Sequence, residues 1–361
     1  MLRPETEAEL AAILRGANAP LSVRGGGTRH APGAGEPLTT AGLAGITLYE
    51  PGALTLVVRA GTPIREVEDA LAAEGQRLPF EPMDHRPLLG TVGEPTIGGA
   101  VAMNVSGPRR VQAGACRDSL IGVRFVDGEG QVVKNGGRVM KNVTGYDLAR
   151  LMAGARGTLG VLTEAAFKVL PAAASETTLR LRDHTVERAV RAMAAALRSP
   201  YDVSGAAHDP AAGQTLLRVE GLAGSVEYRA GRLAALIAPH GLAERVEGDA
   251  SVELWRRVRD AEAVAGQGDL WRVHCRPSRA PELVARAGAD AVLLDWGGGL
   301  LWMRLPAGTD LRTRLGRFDG HATRLRGEGA NAAPPEAAPV AALAAGLRAR
   351  FDPRGLFAGA C

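Results

Sequence analysis

Residues 96–171 constrain this chain more than any other stretch: TIGGAVAMNVSGPRRVQAGACRDSLIGVRFVDGEGQVVKNGGRVMKNVTGYDLARLMAGARGTLGVLTEAAFKVLP returns to glycine every few residues without forming a turn-only cluster. Glycine costs backbone entropy wherever it is used, so its repetition beside short apolar runs implies backbone pressed against something bulky. Composition sharpens the point. Of 43 basic residues only Lys134, Lys141 and Lys168 are lysine, and all three fall here, with Asn104, Asn135 and Asn142. A chain biased towards Arg and Ala keeps its scarce ammonium and amide side chains in one place.

At 361 residues the chain exceeds the usual single-domain size, so two domains with separate cores are expected. The net charge is +4, but basic and acidic residues alternate and form no tract, which argues for solvated faces and against a nucleic-acid or anionic-lipid surface. Cys116, Cys275 and Cys361 lie far apart without a CxxC, so neither an iron–sulfur cluster nor a structural zinc is encoded. Both Cys116 and Cys275 read as buried, inert thiols. The odd count suits a reducing compartment, and no leader precedes the first helix pattern; a cytoplasmic chain is expected, peripheral at most to a membrane. The apolar run 337–347 is shorter than the roughly 20 residues a bilayer span needs.

In chain order, Leu10, Ile13 and Leu14 share one face of a helix over 5–16. A strand over 21–24 then runs into Gly25, Gly26, Gly27 and Thr28. Successive glycine amides can turn inward and hold a phosphate, with Arg24 and Thr28 as further donors. A strand over 54–60 precedes a helix with Thr62 as N-cap, Pro63 at its first position, and Ile64, Val67 and Leu71 inward. The proline-rich segment 78–96 reads as an ordered loop or lid. A short helix over 97–103, opened by Thr96, Gly98 and Gly99, offers a second anion-binding terminus. Strands over 120–126 and 131–133 form a hairpin, Tyr146 and Asp147 open a helix to 152, and a strand over 161–170 closes the first domain. Beyond residue 172 strands alternate with amphipathic helices, which reads as one antiparallel sheet covered by helices. No GxGxxG follows a strand and no Walker A loop occurs, so neither a Rossmann nor a P-loop site is present.

RGGGT at 24–28, TIGGAVAMN at 96–104, RDSLIGVRFVDGEG at 117–130, GGRVMKNVTGYDLARLMAGARGTLGVLTE at 136–164 and FDPRGLF at 351–357 together resemble the vanillyl-alcohol-oxidase (PCMH) type of FAD-binding flavoprotein. FEP at 80–82, GPRR at 107–110, AGACRDSLIG at 113–122 and DWGGG at 295–299 are similar to the smaller FAD-binding subunit family of bacterial glycolate oxidases. The resemblance implies an α+β fold: a two-subdomain FAD-binding domain over 1–171, a small antiparallel-sheet cap with helices over 172–330, and a C-terminal helix and tail over 331–361 returning to the first domain. It implies non-covalent FAD, with Arg24, Gly25, Gly26, Gly27 and Thr28 around the pyrophosphate. On the other side would stand Thr96, Ile97, Gly98, Gly99 and Asn104, with Asp118 and Ser119 at the ribityl or phosphate region. Gly160 and Val161 would meet the adenine end.

Two departures from the family matter. Relatives that oxidise 2-hydroxy acids carry closely spaced cap histidines, whereas His184, His208, His240, His274 and His321 are each more than twenty residues apart, so no histidine site is expected. The tail Ala358–Gly359–Ala360–Cys361 also lacks the family's Asn-Pro-Gly. His30 reads as a surface histidine, and Lys141 and Asn142 as braces of cofactor loops. Arg109 and Arg110 are candidates for a substrate carboxylate, with a subunit-facing role as the alternative. The expected function is that of an FAD subunit in a glycolate (2-hydroxy-acid) oxidase or dehydrogenase complex, beside a larger FAD-binding subunit and an iron–sulfur subunit. A non-catalytic assembly module and a stand-alone oxidase are the alternatives, and no catalytic residue is assigned.

Overall fold

The computed structural model describes residues 1–29, 33–137, 145–328, 333 and 336–357. The first helix, Glu7–Gly16, starts where the Thr6 hydroxyl accepts the Glu9 N–H and buries Leu10, Ala11 and Leu14. It lies beside a two-stranded parallel sheet, β1 (Leu21–Arg24) and β2 (Glu36–Thr39). Leu356 and Phe357 complete that small core, and the Leu21 N–H donates to the Leu356 carbonyl at 2.8 Å. The last residues described thus pack on the first subdomain.

Strands β3 (Ile46–Glu50), β4 (Thr55–Arg59), a short β5 (Gln76–Arg77), β6 (Leu120–Val126), β7 (Val132–Gly136), β8 (Val161–Lys168) and β9 (Leu170–Pro171) follow. Five of them form an antiparallel sheet in the order β3-β4-β8-β6-β7. The helix Ile64–Ala73 begins after Pro63, and Thr62 does not cap it. Instead its hydroxyl accepts the Gly45 N–H at 2.9 Å and donates to the Arg59 carbonyl at 2.8 Å, because the turn leaving β4 needs those partners.

The second half contributes β10 (Ser175–Arg182), β11 (Val203–Asp209), β12 (Gln214–Gly221), β13 (Ala243–Glu247), β14 (Asp269–Cys275), β15 (Ala291–Asp295), β16 (Leu300–Leu305) and β17 (Gly320–Arg326). They form one antiparallel sheet in the order β13-β10-β12-β11-β15-β16-β14-β17. Strand periodicity divides its faces. Trp271, Val273, Leu301 and Met303 pack with the helices Val186–Leu197, Ala223–Ile237 and Ala280–Ala287. Leu270, Leu293, Leu300 and Trp302 pack instead into the core of the first half, so one core runs through both halves of the chain. No helix among the described residues is long and apolar enough to cross a membrane.

Candidate functional site

Leaving β1, residues 25–28 pass over the start of the helix Ile97–Ala102. A Cβ on Gly25 would collide with Thr96 Oγ1, and one on Gly26 with the Glu94 carbonyl; a Cβ on Gly27 would meet nothing, but its φ is 73°. The first two glycines are therefore required by the neighbouring segment 94–96, and the third by backbone conformation. The amides of Gly26, Gly27 and Thr28 have no partner among the described residues. By contrast, the amides opening the helix Ile97–Ala102 are committed. Ile97 donates to the Thr62 carbonyl at 3.0 Å, Gly98 to Ala60 at 2.7 Å, and Gly99 to Thr96 Oγ1 at 3.3 Å. The second anion-binding terminus expected from sequence is thus absent, since those N–H groups splice the helix onto β4. Gly98 is bare because a Cβ would sit 2.7 Å from that of Ala60.

The loop is a partition between two hollows. On one side a cavity of about 160 Å³ is lined by Arg24–Thr28, Thr96, Gly98, Gly99, Gly160 and Val161, together with Arg29, Met152, Arg156, Gly157 and Phe357. On the other side a larger one, about 1100 Å³, shares Arg24, Gly25, Gly26, Gly27, Arg29 and Thr96. Of the other residues singled out from sequence, Ile97 is fully buried in the core. Asn104 Oδ1 accepts the Arg117 N–H at 3.0 Å, Asp118 Oδ2 accepts the Ala115 N–H at 2.8 Å, and Ser119 is buried. Asn104 and Asp118 shape the loop between the helix and β6 and are not in the cavity wall. His30, Lys141, Asn142 and the tail Ala358–Cys361 lie outside the described residues.

Arg29 was not legible as a site residue, because the glycine motif ends one residue before it. Its side chain lines both hollows at 8% exposure, with Nη1 3.5 Å from the Thr96 carbonyl, and Nε and Nη2 have no hydrogen-bond partner. Burial pushes the guanidinium down to about 10, only partly offset by Asp84. A Cβ on Gly99 would sit 2.7 Å from Nη1, so that glycine makes room for the guanidinium. A buried cation without a counter-ion is costly, and three free amides beside it complete a cradle for an anionic group. A dinucleotide's diphosphate fits this donor set.

Between the domains lies a second concentration of charge. Arg109 bonds Glu220 at 2.8 Å and Glu81 at 3.1 Å; Arg218 bonds Glu81 at 3.0 Å, and Arg77 reaches Glu220 at 2.6 Å. Burial alone would raise both carboxyls, but the Arg218 and Arg109 guanidiniums outweigh it and hold Glu81 and Glu220 below the usual range. Arg109 is thereby spent on the domain interface and is no candidate for a substrate carboxylate.

Arg110 differs. Its guanidinium lies 4.5 Å over the Trp296 ring, which Arg272 approaches at 5.6 Å. His274 lies 5.4 Å from that ring and stacks on His321 at 4.7 Å. Far apart in sequence, these two histidines meet because β14 and β17 are neighbours, and His274 is the direct cross-strand partner of His321. Burial, reinforced by Arg272, pushes His274 down to about 2, so the ring is a neutral imidazole. Among the described residues no group of three or more His, Cys, Asp or Glu side chains could hold a metal. Cys116 is buried and Cys275 half-buried, its thiol pushed up to about 11 by burial, which disfavours the thiolate.

A family model described as an FAD binding domain matches residues 1–136. Glycolate oxidase subunit GlcE of Escherichia coli (strain K12) is 36% identical over 345 residues, 94% of this chain and 91% of that protein. Glycolate oxidase subunit GlcD of Bacillus subtilis (strain 168) is 30% identical over 60% of this chain and 42% of its own length. Among solved structures, an alkyldihydroxyacetonephosphate synthase superimposes with a TM-score of 0.69 over 98% of this chain and 75% of its own, at 14% identity, a likeness of fold alone. With a fold, an anion cradle and full-length similarity in agreement, the chain belongs to the GlcE family of FAD-binding glycolate oxidase subunits.

Proposed function

We propose that this chain is the FAD-binding subunit of a glycolate (2-hydroxy-acid) oxidase complex, taking up electrons from substrate oxidation and passing them to an iron–sulfur companion beside a larger flavin subunit. The observation that carries the reading is the unpaired Arg29 guanidinium beside the free amides of Gly26, Gly27 and Thr28. Arg29 and that loop would hold the diphosphate. Charge-assisted bonds of this kind contribute about 1.5 to 3 kcal/mol each, enough in combination for tight non-covalent retention. Thr96, Gly98, Gly99, Gly160 and Val161 would form the walls against which the cofactor lies, with Asn104, Asp118 and Ser119 supporting them. When bound, FAD supplies the two-electron acceptor chemistry. The described residues offer no cluster-ligating cysteine group, which supports a separate iron–sulfur subunit. The reading places the chain in the cytoplasm, at the inner membrane only through its companions.

The test is the absorption spectrum of the purified chain. A yellow protein that releases intact FAD on denaturation is expected, and Arg29→Met should retain much less of it. Colourless protein that fails to take up added FAD overturns the reading.

A further inference from the structure

Three arginines at the contact of cap and cofactor domain stand without a carboxylate partner among the described residues: Arg110, Arg156 and Arg272. Each depresses a neighbour's proton affinity, Arg110 and Arg156 that of Arg272, and Arg272 that of His274 and His321, so the five groups form one electrostatic unit. Elsewhere at the same interface Arg109 and Arg218 are answered by Glu81 and Glu220. Here the nearest acids do not answer. Asp295, buried and raised to about 7, accepts the Trp296 N–H at its Oδ1, and Asp118 lies beside Arg117 at 3.9 Å.

The backbone holds this arrangement under strain. Trp296 has φ 53° and Arg156 φ 54°, conformations that side chains of their size rarely adopt. Such strain persists only where the surroundings impose it and it gathers at functional sites. At Trp296 the turn is fixed by Asp295 and by the indole Nε1 donating to the Gly107 carbonyl at 3.0 Å, across the domain boundary. The indole is thereby clamped as a floor with Arg110 and Arg272 on it, and its ring partly compensates cations that have no anion. Strand alternation sends Arg272 and His274 to the domain-facing side of β14, between Trp296 and Trp302, where an ordinary core would have apolar residues. Arg272 Nε is buried with no partner. Arg156 also lines the glycine-loop cavity, and its charge is felt by Arg272 and His321.

We infer that Arg110, Arg156 and Arg272, with Trp296, His274 and His321, form a binding site for a small carboxylate on this chain itself. Guanidinium forks match a planar carboxylate, and the neutral His274 ring offers a hydrogen-bond partner to a hydroxyl next to it. The inference rests on the flavin reading only for what the bound anion would lie beside; binding itself needs no redox step.

Isothermal titration of the FAD-loaded full chain with glycolate, with inorganic phosphate and with neutral glycolamide tests it, FAD content being read from the same sample by absorbance. Saturable glycolate binding is expected, with no binding of glycolamide, and about a tenfold or greater weakening in Arg272→Met and in Arg110→Met at unchanged FAD content. Arg110 is half-exposed, so its variant keeps the test informative where Arg272→Met misfolds. No glycolate binding by a yellow protein, phosphate binding in its place, or binding indifferent to both variants overturns the inference. Loss of FAD instead reports on the flavin reading.

Discussion

Single side chains set the chemistry of this molecule by what they lack. Arg29 makes no ion pair among the described residues, and in Arg29→Met the loop amides alone would face the diphosphate. One lost charge-assisted bond of about 1.5 to 3 kcal/mol predicts roughly a 10- to 150-fold weaker FAD affinity, measured by fluorescence on titrating stripped protein. An affinity unchanged by the substitution would place the diphosphate elsewhere. Asp295 makes a second, independent prediction. Burial raises its carboxyl to about 7, with Glu81 adding to the effect. A carboxyl raised in the folded state is ionised more readily when unfolded, so stability falls as pH rises from about 4 towards 7 and the penalty persists above. Asp295→Asn keeps the acceptor for the Trp296 N–H, bonded now at 2.7 Å, and removes that penalty. Its stability relative to the parent should therefore increase between about pH 5 and pH 8 in urea unfolding; a pH-independent difference would mean that Asp295 is charged throughout.

At the scale of elements, much was readable and the exceptions share a cause. The strand Leu21–Arg24 and the helices at Glu7–Gly16 and Leu148–Met152 follow from local periodicity and capping, and Asp147 does accept the Arg150 N–H as a helix start should. What sequence could not show is where an element's spare groups go. Thr62 and the amides of Ile97 and Gly98 look available in one dimension, yet all are taken by β4 and the turns around it. His274 and His321 look distant, yet they meet because β17 joins the sheet edge beside β14 after a long excursion. Glycine roles are equally non-local, and Gly26 and Gly27 separate them. Gly26→Ala would drive a Cβ into the Glu94 backbone, whereas Gly27→Ala meets open space and bears only the left-handed conformation, about 1 to 2 kcal/mol. Thermal unfolding should show the first variant far less stable than the second. Equal losses would mean that the segment at Glu94 yields to the loop.

Across the whole molecule, the large second-half sheet is joined to the first half of the chain by apolar packing and by one nearly dry charge network. Arg218 is 1% exposed, stacks 4.5 Å over Trp255, and bridges Glu81 and Glu220; Arg109 reaches both carboxylates, and Arg77 reaches Glu220. Such a network is costly to desolvate, so its net contribution to stability is modest. Removing one member, however, leaves uncompensated buried charge, worth about 3 to 5 kcal/mol. Both carboxyls are held below their usual range, so their contribution is complete above about pH 4 to 5 and is lost as pH falls through the lower folded values. Glu220→Gln should therefore be markedly less stable than the parent near neutrality, with the gap narrowing as the medium is acidified below about pH 4, where residue 220 of the unfolded parent takes up a proton while the folded carboxylate still resists it. Urea midpoints of both proteins across that range decide it. A gap that stays constant would assign the loss to packing around residue 220. A narrowing gap identifies charge pairing of Glu220 with Arg218, Arg109 and Arg77 as what holds the two halves of the chain together there.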